Sequence, residues 1–493
     1  MALMIRFHNT LGGALEPFCP LRPGEVGLYT CGPTVYDYPH IGNWRAYVFE
    51  DVLKRFLTAR GFRVKHVMNI TDVDDKTIKG AAARGVPLSE YTRPFIEAFI
   101  RDLAVLNIRP ADHYPRATEH IPEMVALIKR LLERGYAYKK DGSVYFSIAK
   151  FPPYGRLSKI GLDDLKPGRR GDADEYEKES VHDFALWKAA KEGEPFWETD
   201  LGPGRPGWHV ECSAMSSRYL GPTFDIHCGG VDNIFPHHEN EIAQSEAANG
   251  VPFVRTWLHC HHLIVDGEKM SKSKGNVYRL DDILAKGYKP LEVRFLLLST
   301  HYRKMLNFTF EALDQACSAR KRLLDFLYEL DHVSREGPAS PEVAGLIVAA
   351  ETAFLESLDD DLNISEAFAA LFGMVKSVNI LLKEGRVHRP DSEALVASLR
   401  KLDEVLGVLE DYHREIADAV SETPHMTDSY EDKVASGISG AAIQAKIDER
   451  QKAREAKDFK RADEIRRELL EQGILLEDTK DGVRWKRIPP ARS

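Results

Sequence analysis

His40-Ile41-Gly42-Asn43 and, far downstream, Lys269-Met270-Ser271-Lys272-Ser273 set two polar or cationic clamps on one chain of 493 residues. In the first, His40 and Asn43 offer hydrogen-bond donors to phosphate oxygens, and Gly42 lets a flat ring or a ribose approach the backbone. In the second, Lys269 and Lys272 lie in a short loop bracketed by Gly267 and Gly275. Such a loop is a flexible cationic lid able to neutralise a pyrophosphate leaving group. Taken alone, the first motif equally describes a capped helix start and the second a solvated Lys/Ser loop. Together they point to one nucleotide triphosphate. A different chemistry is open to His237 and Glu241, four residues apart at the head of a run of good helix formers and therefore on one helix face. With Cys31 and Cys212 brought in from the ends of other elements, the set would be two thiolates, an imidazole and a carboxylate, donors that suit zinc. The residues by themselves leave the alternative open, with buried cysteines and a helix-capping acid.

These side chains need a scaffold, and the sequence patterning supplies one. Glu25 to Cys31 alternates and breaks at Gly32-Pro33, which predicts a strand running into a loop. Trp44 to Ala59 carries Tyr47, Val48, Val52, Leu53, Phe56 and Leu57 at helical spacing and stops at Gly61, and Phe62 to Ile70 is strand-like again. Strand, helix, strand is the crossover that builds a parallel sheet, and His40 falls where the first strand gives way to the helix. Neither a Gly-x-Gly-x-x-Gly nor a Gly-x-x-x-x-Gly-Lys-[Ser/Thr] motif occurs, so any nucleotide is held by another device. Thr118 to Gly202 reads as an insertion, with a helix over Ile121 to Arg134 followed by irregular, charged, Gly-rich segments. The sheet pattern returns at Phe224 to His227 and Thr256 to Val265. Leu284 to Leu409 is nearly all amphipathic helix, His413 to Gly440 is a polar linker, and a last helix over Gln444 to Gln472 leads into a strand-like tail with Trp485.

Composition narrows the class. Hydrophobic residues make up 43% of the chain, enough for ordinary cores in roughly three domains. The longest apolar runs fall short of the ~18 residues that span a bilayer, and the first residues lack a signal-peptide pattern, so a cytoplasmic protein without a membrane partner is expected. Six irregularly spaced cysteines imply thiols or metal ligands rather than a disulfide framework. A net charge of −9 argues against coating nucleic acid through bulk charge. Residues 441–493, with 14 Lys/Arg against 11 Asp/Glu, form a mildly basic piece that suits either a solvated helix or an RNA contact.

The two signature motifs in this order, on a broken Rossmann pattern, resemble those of class I aminoacyl-tRNA synthetases. Tyr29-Thr30-Cys31-Gly32-Pro33-Thr34-Val35-Tyr36-Asp37, Asn69 to Lys76 (Asn-Ile-Thr-Asp-Val-Asp-Asp-Lys), Gly207 to Met215 (Gly-Trp-His-Val-Glu-Cys-Ser-Ala-Met) and Phe235 to Glu241 (Phe-Pro-His-His-Glu-Asn-Glu) resemble the cysteinyl-tRNA synthetase family specifically, over essentially the whole chain. The resemblance implies an α/β fold: a Rossmann-type parallel-sheet catalytic domain (1–117 and 203–283) with a connective insertion (118–202). A helical bundle (284–412), a linker (413–440) and a small C-terminal anticodon-binding module (441–493) would follow. It implies activation of L-cysteine with ATP and Mg²⁺, then transfer to tRNA(Cys), by a monomer. It maps one zinc onto Cys31, Cys212, His237 and Glu241, and the cysteine pocket onto Thr71, Trp208 and His227. His40, Asn43, Lys269 and Lys272 would act on the phosphates, with Gly42 and Asp232 against the nucleotide. Arg454, Phe459, Asp463, Asp478 and Trp485 would contact tRNA by stacking on unpaired bases and accepting from base edges.

A zinc so placed answers a selection problem. Serine differs from cysteine by one atom, and a shape-based pocket rejects such a near-isostere on the order of 10²-fold. A metal that prefers soft thiolates discriminates further. The chain departs from the family pattern at Asn43, where a second histidine is usual, and at Trp44, where a small residue is usual. Cys228 and His259-Cys260-His261-His262 add thiols and imidazoles beyond the zinc set, and strand alternation divides them between two surfaces. Lys76 and Lys79 resemble a lysine motif linked in this family to pyridoxal phosphate and persulfide formation. Two rivals use the same residues differently: a ligase joining cysteine to an amino sugar, which lacks the C-terminal module, and a catalytically silent RNA-binding paralogue.

Overall fold

The computed structural model describes residues 4–161, 183–409, 440–455, 458–471, 474–479 and 482–487. It divides into two units, Met1–Tyr412 and His413–Ser493. Most of the polar segment expected as a linker lies outside the described residues.

At the centre of the first unit is a four-stranded, all-parallel sheet in the order Val254–Cys260, Phe224–Gly230, Glu25–Thr30, Arg63–Met68. The two inner strands, Glu25–Thr30 and Phe224–Gly230, come from halves of the chain far apart in sequence, so strand order reverses between them. That reversal opens a crevice at their C-terminal ends, where open α/β sheets bind ligands. Strand alternation then sorts side chains by face. Leu28, Ile226, Cys228, Leu258 and Cys260 join the core under helix Ile41–Ala59, whereas Tyr29, Val67 and Trp257 pack with Cys212 and Ile242 on the other side.

Helix Ile41–Ala59 begins at a capping box: His40 Nδ1 accepts from the Asn43 N–H (3.3 Å) and Asn43 Oδ1 accepts from the His40 N–H (3.0 Å). It stops ahead of Gly61, whose φ of +88° suits glycine and ends the turn. Trp44, Val48, Leu53, Phe56 and Leu57 form its buried stripe.

The insertion is more ordered than its sequence suggests. Behind helix Ile121–Glu133 stands an antiparallel four-stranded sheet, Ala137–Lys140, Ser143–Phe146, Phe184–Ala189 and Gly204–Pro206, with its own core of Ile128, Leu131, Phe146 and Trp187. The expectation of irregular segments is therefore corrected for the described residues, while 162–182, the most charged part of the insertion, lie outside them. Strands of three to six residues are too short to display alternation, but Asp141-Gly142, both at positive φ (49° and 78°), is a hairpin turn readable from sequence.

Helices Phe310–Asp331, Pro341–Asp359, Ile364–Lys383 and Arg389–Leu406 form the bundle, and their core is continuous with that of the sheet and helix Ile41–Ala59. Among the described residues one helix, Ile364–Lys383, is long and apolar enough to cross a membrane by length and composition. Its Phe368, Leu371, Val375 and Val378 are spent on bundle packing.

In the second unit two helices, Gly440–Glu455 and Phe459–Glu471, replace the single helix expected over Gln444 to Gln472. Asp458 explains the break, since its carboxylate accepts the Arg461 N–H (3.1 Å) and caps the second helix. A hairpin of Ile474–Thr479 and Gly482–Arg487 follows.

Candidate active site and metal centre

A cavity of about 650 Å³ opens at the C-terminal edge of the parallel sheet, lined by both signature segments and by Cys31, Thr71, Trp208, Cys212 and His237. The metal-competent end of it is built from three separate pieces of chain. Cys31 is the first residue beyond strand Glu25–Thr30, with its N–H on the Cys228 carbonyl (3.2 Å). Cys212 comes from helix Trp208–Leu220, His237 from the turn before helix Glu239–Asn249, and Glu241 from that helix's first turn. One donor atom from each of these four lies within 4.8 Å of the others.

The donor chemistry fits one zinc ion. His237 Nε2 and Glu241 Oε1 are 3.0 Å apart as the i and i+4 members of one face, yet Glu241 Oε1 makes no hydrogen bond although fully buried. That spacing is what two ligands of a common ion show. The imidazole is held in place from behind, His209 Nδ1 standing 3.0 Å from His237 Nδ1. Electrostatics agree. Burial alone would lower His237, but Glu241 and Cys212 outweigh it and push it up to about 10. Burial would raise Glu241, but His227 and His237 pull it down to about 2. Cys212 is drawn down to about 6, first by the Cys31 thiol and further by His237, while Cys31 is held well above its usual range. The site thus favours anionic sulfur and oxygen side by side.

The structure also brings in residues the sequence analysis overlooked. Cys31, His227, His238 and Glu241 form a second set within 4.8 Å, overlapping the first. His227, expected to shape the pocket, stands between Tyr29 (5.1 Å) and Trp257 (4.6 Å) in a row across the sheet, its Nε2 3.1 Å from Glu241 Oε2. His238 reaches Cys31 Sγ (3.3 Å) and His259 Nε2 (2.8 Å), and His259 Nδ1 continues to Thr10 Oγ1 (2.7 Å). His238 sits beside His237 in sequence, which is the signal that could have found it. The His259–His262 run does divide: His259 joins this relay, Cys260 belongs to the opposite sheet face, and His261 and His262 line the cavity. Among the described residues, neither Cys228 nor any of Cys260, His261 and His262 belongs to a metal-competent group.

Thr71 and Trp208 both line the cavity. Thr71 donates to the buried Glu211 (3.0 Å), another overlooked acid, and accepts from Asn69 (3.2 Å). Trp208, half-exposed, leans over the His237 ring at 4.2 Å, the two planes tilted by 31°.

The two signature motifs meet. A Cβ on Gly42 would fall 2.5 Å from Met270 Cε and 3.1 Å from the His40 ring, so the space expected to admit a ring or ribose is taken by the lysine loop itself. The foot of that loop is pinned too: the Ile41 N–H donates to Tyr278 O (2.9 Å), and Arg279 Nη2 donates to Asp37 (2.9 Å). Because His40 Nδ1 accepts from the backbone, the proton of a neutral His40 ring sits on Nε2. Helix capping and phosphate binding, posed above as alternatives, are compatible here. Gly267 and Gly275 take positive φ (77° and 66°) at the two ends of the loop. Within it Ser271 N–H donates to Asn276 Oδ1 (2.8 Å). Lys269 is exposed, and Lys272 opens the short turn Lys272–Lys274, its side chain lying outside the described residues. Asp232 is exposed on the cavity rim with His262 Nδ1 4.0 Å away. Lys76 Nζ rests 5.2 Å from the centre of the Tyr36 ring.

In the second unit, Phe459 is 63% exposed, which is too much for a packing role, and shares a helix face with the exposed Asp463 one turn on. Arg454 is exposed near the end of the preceding helix. Asp478 pairs with Val483 and Trp485 with Leu476 across the hairpin, the Asp478 and Trp485 side chains lying outside the described residues.

Three family profiles match successive parts of the chain. They are described as the tRNA synthetases class I (C) catalytic domain over residues 17–318, the DALR domain over 353–410, and the cysteinyl-tRNA ligase anticodon binding domain over 440–485. The cysteine–tRNA ligase of Koribacter versatilis (strain Ellin345) is 47% identical, with 98% of this chain and 100% of that one covered. That of Chlamydia pneumoniae is 48% identical with 98% of each covered. Among solved structures, Mycobacterium tuberculosis methionyl-tRNA synthetase in complex with methionyl-adenylate superposes with a TM-score of 0.57 at 19% identity, covering 81% of this chain and 94% of that one. This last likeness is one of fold.

Proposed function

The chain belongs to the cysteine–tRNA ligases, class I aminoacyl-tRNA synthetases that charge tRNA with cysteine, and on that premise we propose how its cavity does so. L-Cysteine enters with its sulfur at Cys31, Cys212, His237 and Glu241 and its carboxylate toward His40. The carboxylate attacks the α-phosphate of ATP, pyrophosphate leaves, and the acyl group of the resulting cysteinyl-adenylate passes to a terminal ribose hydroxyl of tRNA(Cys). No protein nucleophile is needed. His40 Nε2–H and the Asn43 amide donate to phosphate oxygens at the head of a helix whose N-terminal dipole favours anions. Lys269 and Lys272 fold over the leaving pyrophosphate, swinging at Gly267 and Gly275. Mg²⁺ accompanies ATP without a protein cage. Trp208 covers the sulfur end and excludes water, and Thr71, held by Glu211, presents a fixed hydroxyl to the amino acid.

Zinc held by the four donors would offer a direct bond to a substrate thiolate, which the harder and far less acidic hydroxyl of serine does not match. The remaining selectivity lies in the wall: Glu241 is held by His227 through its other oxygen, so the donor set is preorganised before substrate arrives. In the second unit, Phe459 and Asp463 suit an unpaired base, with Arg454, Asp478 and Trp485 as further tRNA contacts. The enzyme acts as a cytoplasmic monomer.

The observation that carries this reading is the convergence of four metal donors from separate segments beside two signature motifs that touch at Gly42 and Met270. Its test is cysteine-dependent exchange of labelled pyrophosphate into ATP, with metal content, for the wild type and Cys212→Ser. Exchange with cysteine but not serine, one zinc per chain, and loss of both in the variant are expected. A variant that keeps its metal and its preference for cysteine over serine would sink the assignment of the pocket.

A further inference from the structure

Glu50 is an anomaly on helix Ile41–Ala59. His40, Asn43, Tyr47 and Glu50, three or four residues apart, form one stripe, and all four line the cavity. From Ile41 to Glu50 the stripe descends about 13 Å into the protein. Glu50 is 1% exposed, and neither of its carboxylate oxygens has a hydrogen bond from any described residue. No described cation pairs with it: burial holds the carboxyl well above its usual range, and the Thr30 hydroxyl beside it, which also stands 3.0 Å from His66 Nε2, eases its charge only in part. The buried thiols of Cys228 and Cys260 and the metal ligand Cys31 all feel its charge.

The other acids lining the cavity have other circumstances. Asp37 Oδ1 accepts from Arg279 (2.9 Å) and from the Tyr38 N–H (2.8 Å), Asp282 accepts from the Arg279 N–H (2.8 Å), and the Asp232 side chain is 69% exposed. Glu211 stands behind Thr71 and is bonded to it. Glu50 is thus the buried carboxyl of this cavity lining whose complement must come from a ligand, and a carboxyl in that position calls for a cation.

The substrate has one cationic group. An amino acid held by sulfur at the Cys31 set and by carboxylate near His40 spans the sheet edge from one face to the other. Its third handle, the ammonium, is left for the wall between them, where helix Ile41–Ala59 presents Tyr47 and Glu50. We propose that Glu50 binds the α-ammonium group of the amino-acid substrate and makes the site select an amino acid over a plain thiol acid; this rests on the reading of the cavity given above.

The test compares L-cysteine with 3-mercaptopropionate, which keeps the thiol and carboxylate and lacks the ammonium, in the zinc-loaded full-length enzyme. The wild type, shown first to exchange pyrophosphate with cysteine, should bind cysteine about 100-fold more tightly than 3-mercaptopropionate, the loss typical of removing one partner from a buried charged pair. Glu50→Gln should bring the two within about tenfold while the KM for ATP and the zinc content stay as in the wild type. Glu50→Leu, which removes the buried carboxyl, should fold at least as stably and lose the same discrimination, so the question survives if the glutamine variant folds poorly. Undiminished preference for cysteine in either folded variant overturns the role of Glu50. Absence of cysteine-dependent exchange in the wild type overturns the reading of the cavity instead, and the two failures are distinguished by that first measurement.

Discussion

Two largely buried polar clusters lie in the first unit, and they are finished to different degrees. In the first, Asp51 Oδ2 accepts from Arg55 Nε (2.7 Å) and Arg294 Nη2 (2.6 Å), while Oδ1 accepts from the Arg109 N–H (2.9 Å). The two guanidiniums spread their remaining donors over the carbonyls of Leu106, Asn107, Glu404 and Leu406, at the C-terminal ends of helices Leu88–Val105 and Arg389–Leu406. Two cations on one carboxylate leave a surplus positive charge, and helix C-termini are where such a charge is stabilised. None of these side chains has a buried polar atom without a partner. The second cluster, around Cys31, Cys212, His237 and Glu241, leaves Glu241 Oε1, Glu211 Oε1 and the Tyr29 hydroxyl unbonded. A buried network closed on itself holds elements together; one left open is shaped for something that arrives.

The sharpest way to break this contrast is Arg294→Ala. It strips a partner from Asp51 and orphans the carbonyls of Leu106 and Leu406, and should destabilise the first unit by about 3–5 kcal/mol. Urea titration followed by tryptophan fluorescence measures it. A loss under 1 kcal/mol would show that the network is not what joins these helices. His209→Ala is the counterpart on the open side, since it removes the group behind His237 Nδ1. Zinc affinity should fall about 10- to 100-fold by chelator competition, with unfolding in chelator unchanged. Equal unfolding and metal losses in both variants would erase the distinction.

The two clusters also differ in how far sequence discloses them. His237 and Glu241 announce themselves by helical spacing, and the family motifs supply Cys31 and Cys212. Asp51 and Arg55 share the same four-residue spacing, but nothing in the sequence ties them to Arg294 or to backbone carbonyls 52 to 349 residues away. Ion clusters closed by main chain have no residue-type signature. The crossover about helix Ile41–Ala59 was legible because a long helix between two strands repeats its apolar period often enough to be seen. The insertion sheet was not, its strands being too short to alternate. Glu50 was passed over for a related reason: in sequence it is one more polar residue on an amphipathic helix, and only the fold turns it inward.

Gly42→Ala tests the seam between the two signature motifs. Its Cβ would meet a methionine tip and an imidazole, groups that yield more readily than backbone, so a stability loss of about 1 kcal/mol is expected. Pyrophosphate exchange should fall further than stability does, because displaced Met270 shifts the lysine loop away from His40. Full activity with a lower melting temperature would mean that the contact seats the loop only in the resting enzyme.

The smallest effect is one of pH, and it arises beside the closed cluster. His66, buried against Thr30 and repelled by Lys54, is lowered from 6.5 to about 3, first by burial. A depressed pKa in the fold means that the unfolded chain takes up this proton first. The contribution of His66 is therefore complete above pH 6.5 and is lost as pH falls toward 3, at roughly 1 kcal/mol per pH unit at most. Asp102 acts in the opposite sense: burial raises it to about 6, so its contribution is complete below the unfolded carboxyl range and is lost as pH climbs through 6. Between pH 4 and 6 the two slopes oppose each other, and the wild type should show a shallow stability profile there. His66→Gln removes one of them. Thermal unfolding of that variant should then become more stable on acidification through this window relative to the parent; parallel profiles would show that His66 is solvated in the folded state and that the wall beside Glu50 is wetter than the closed cluster next to it.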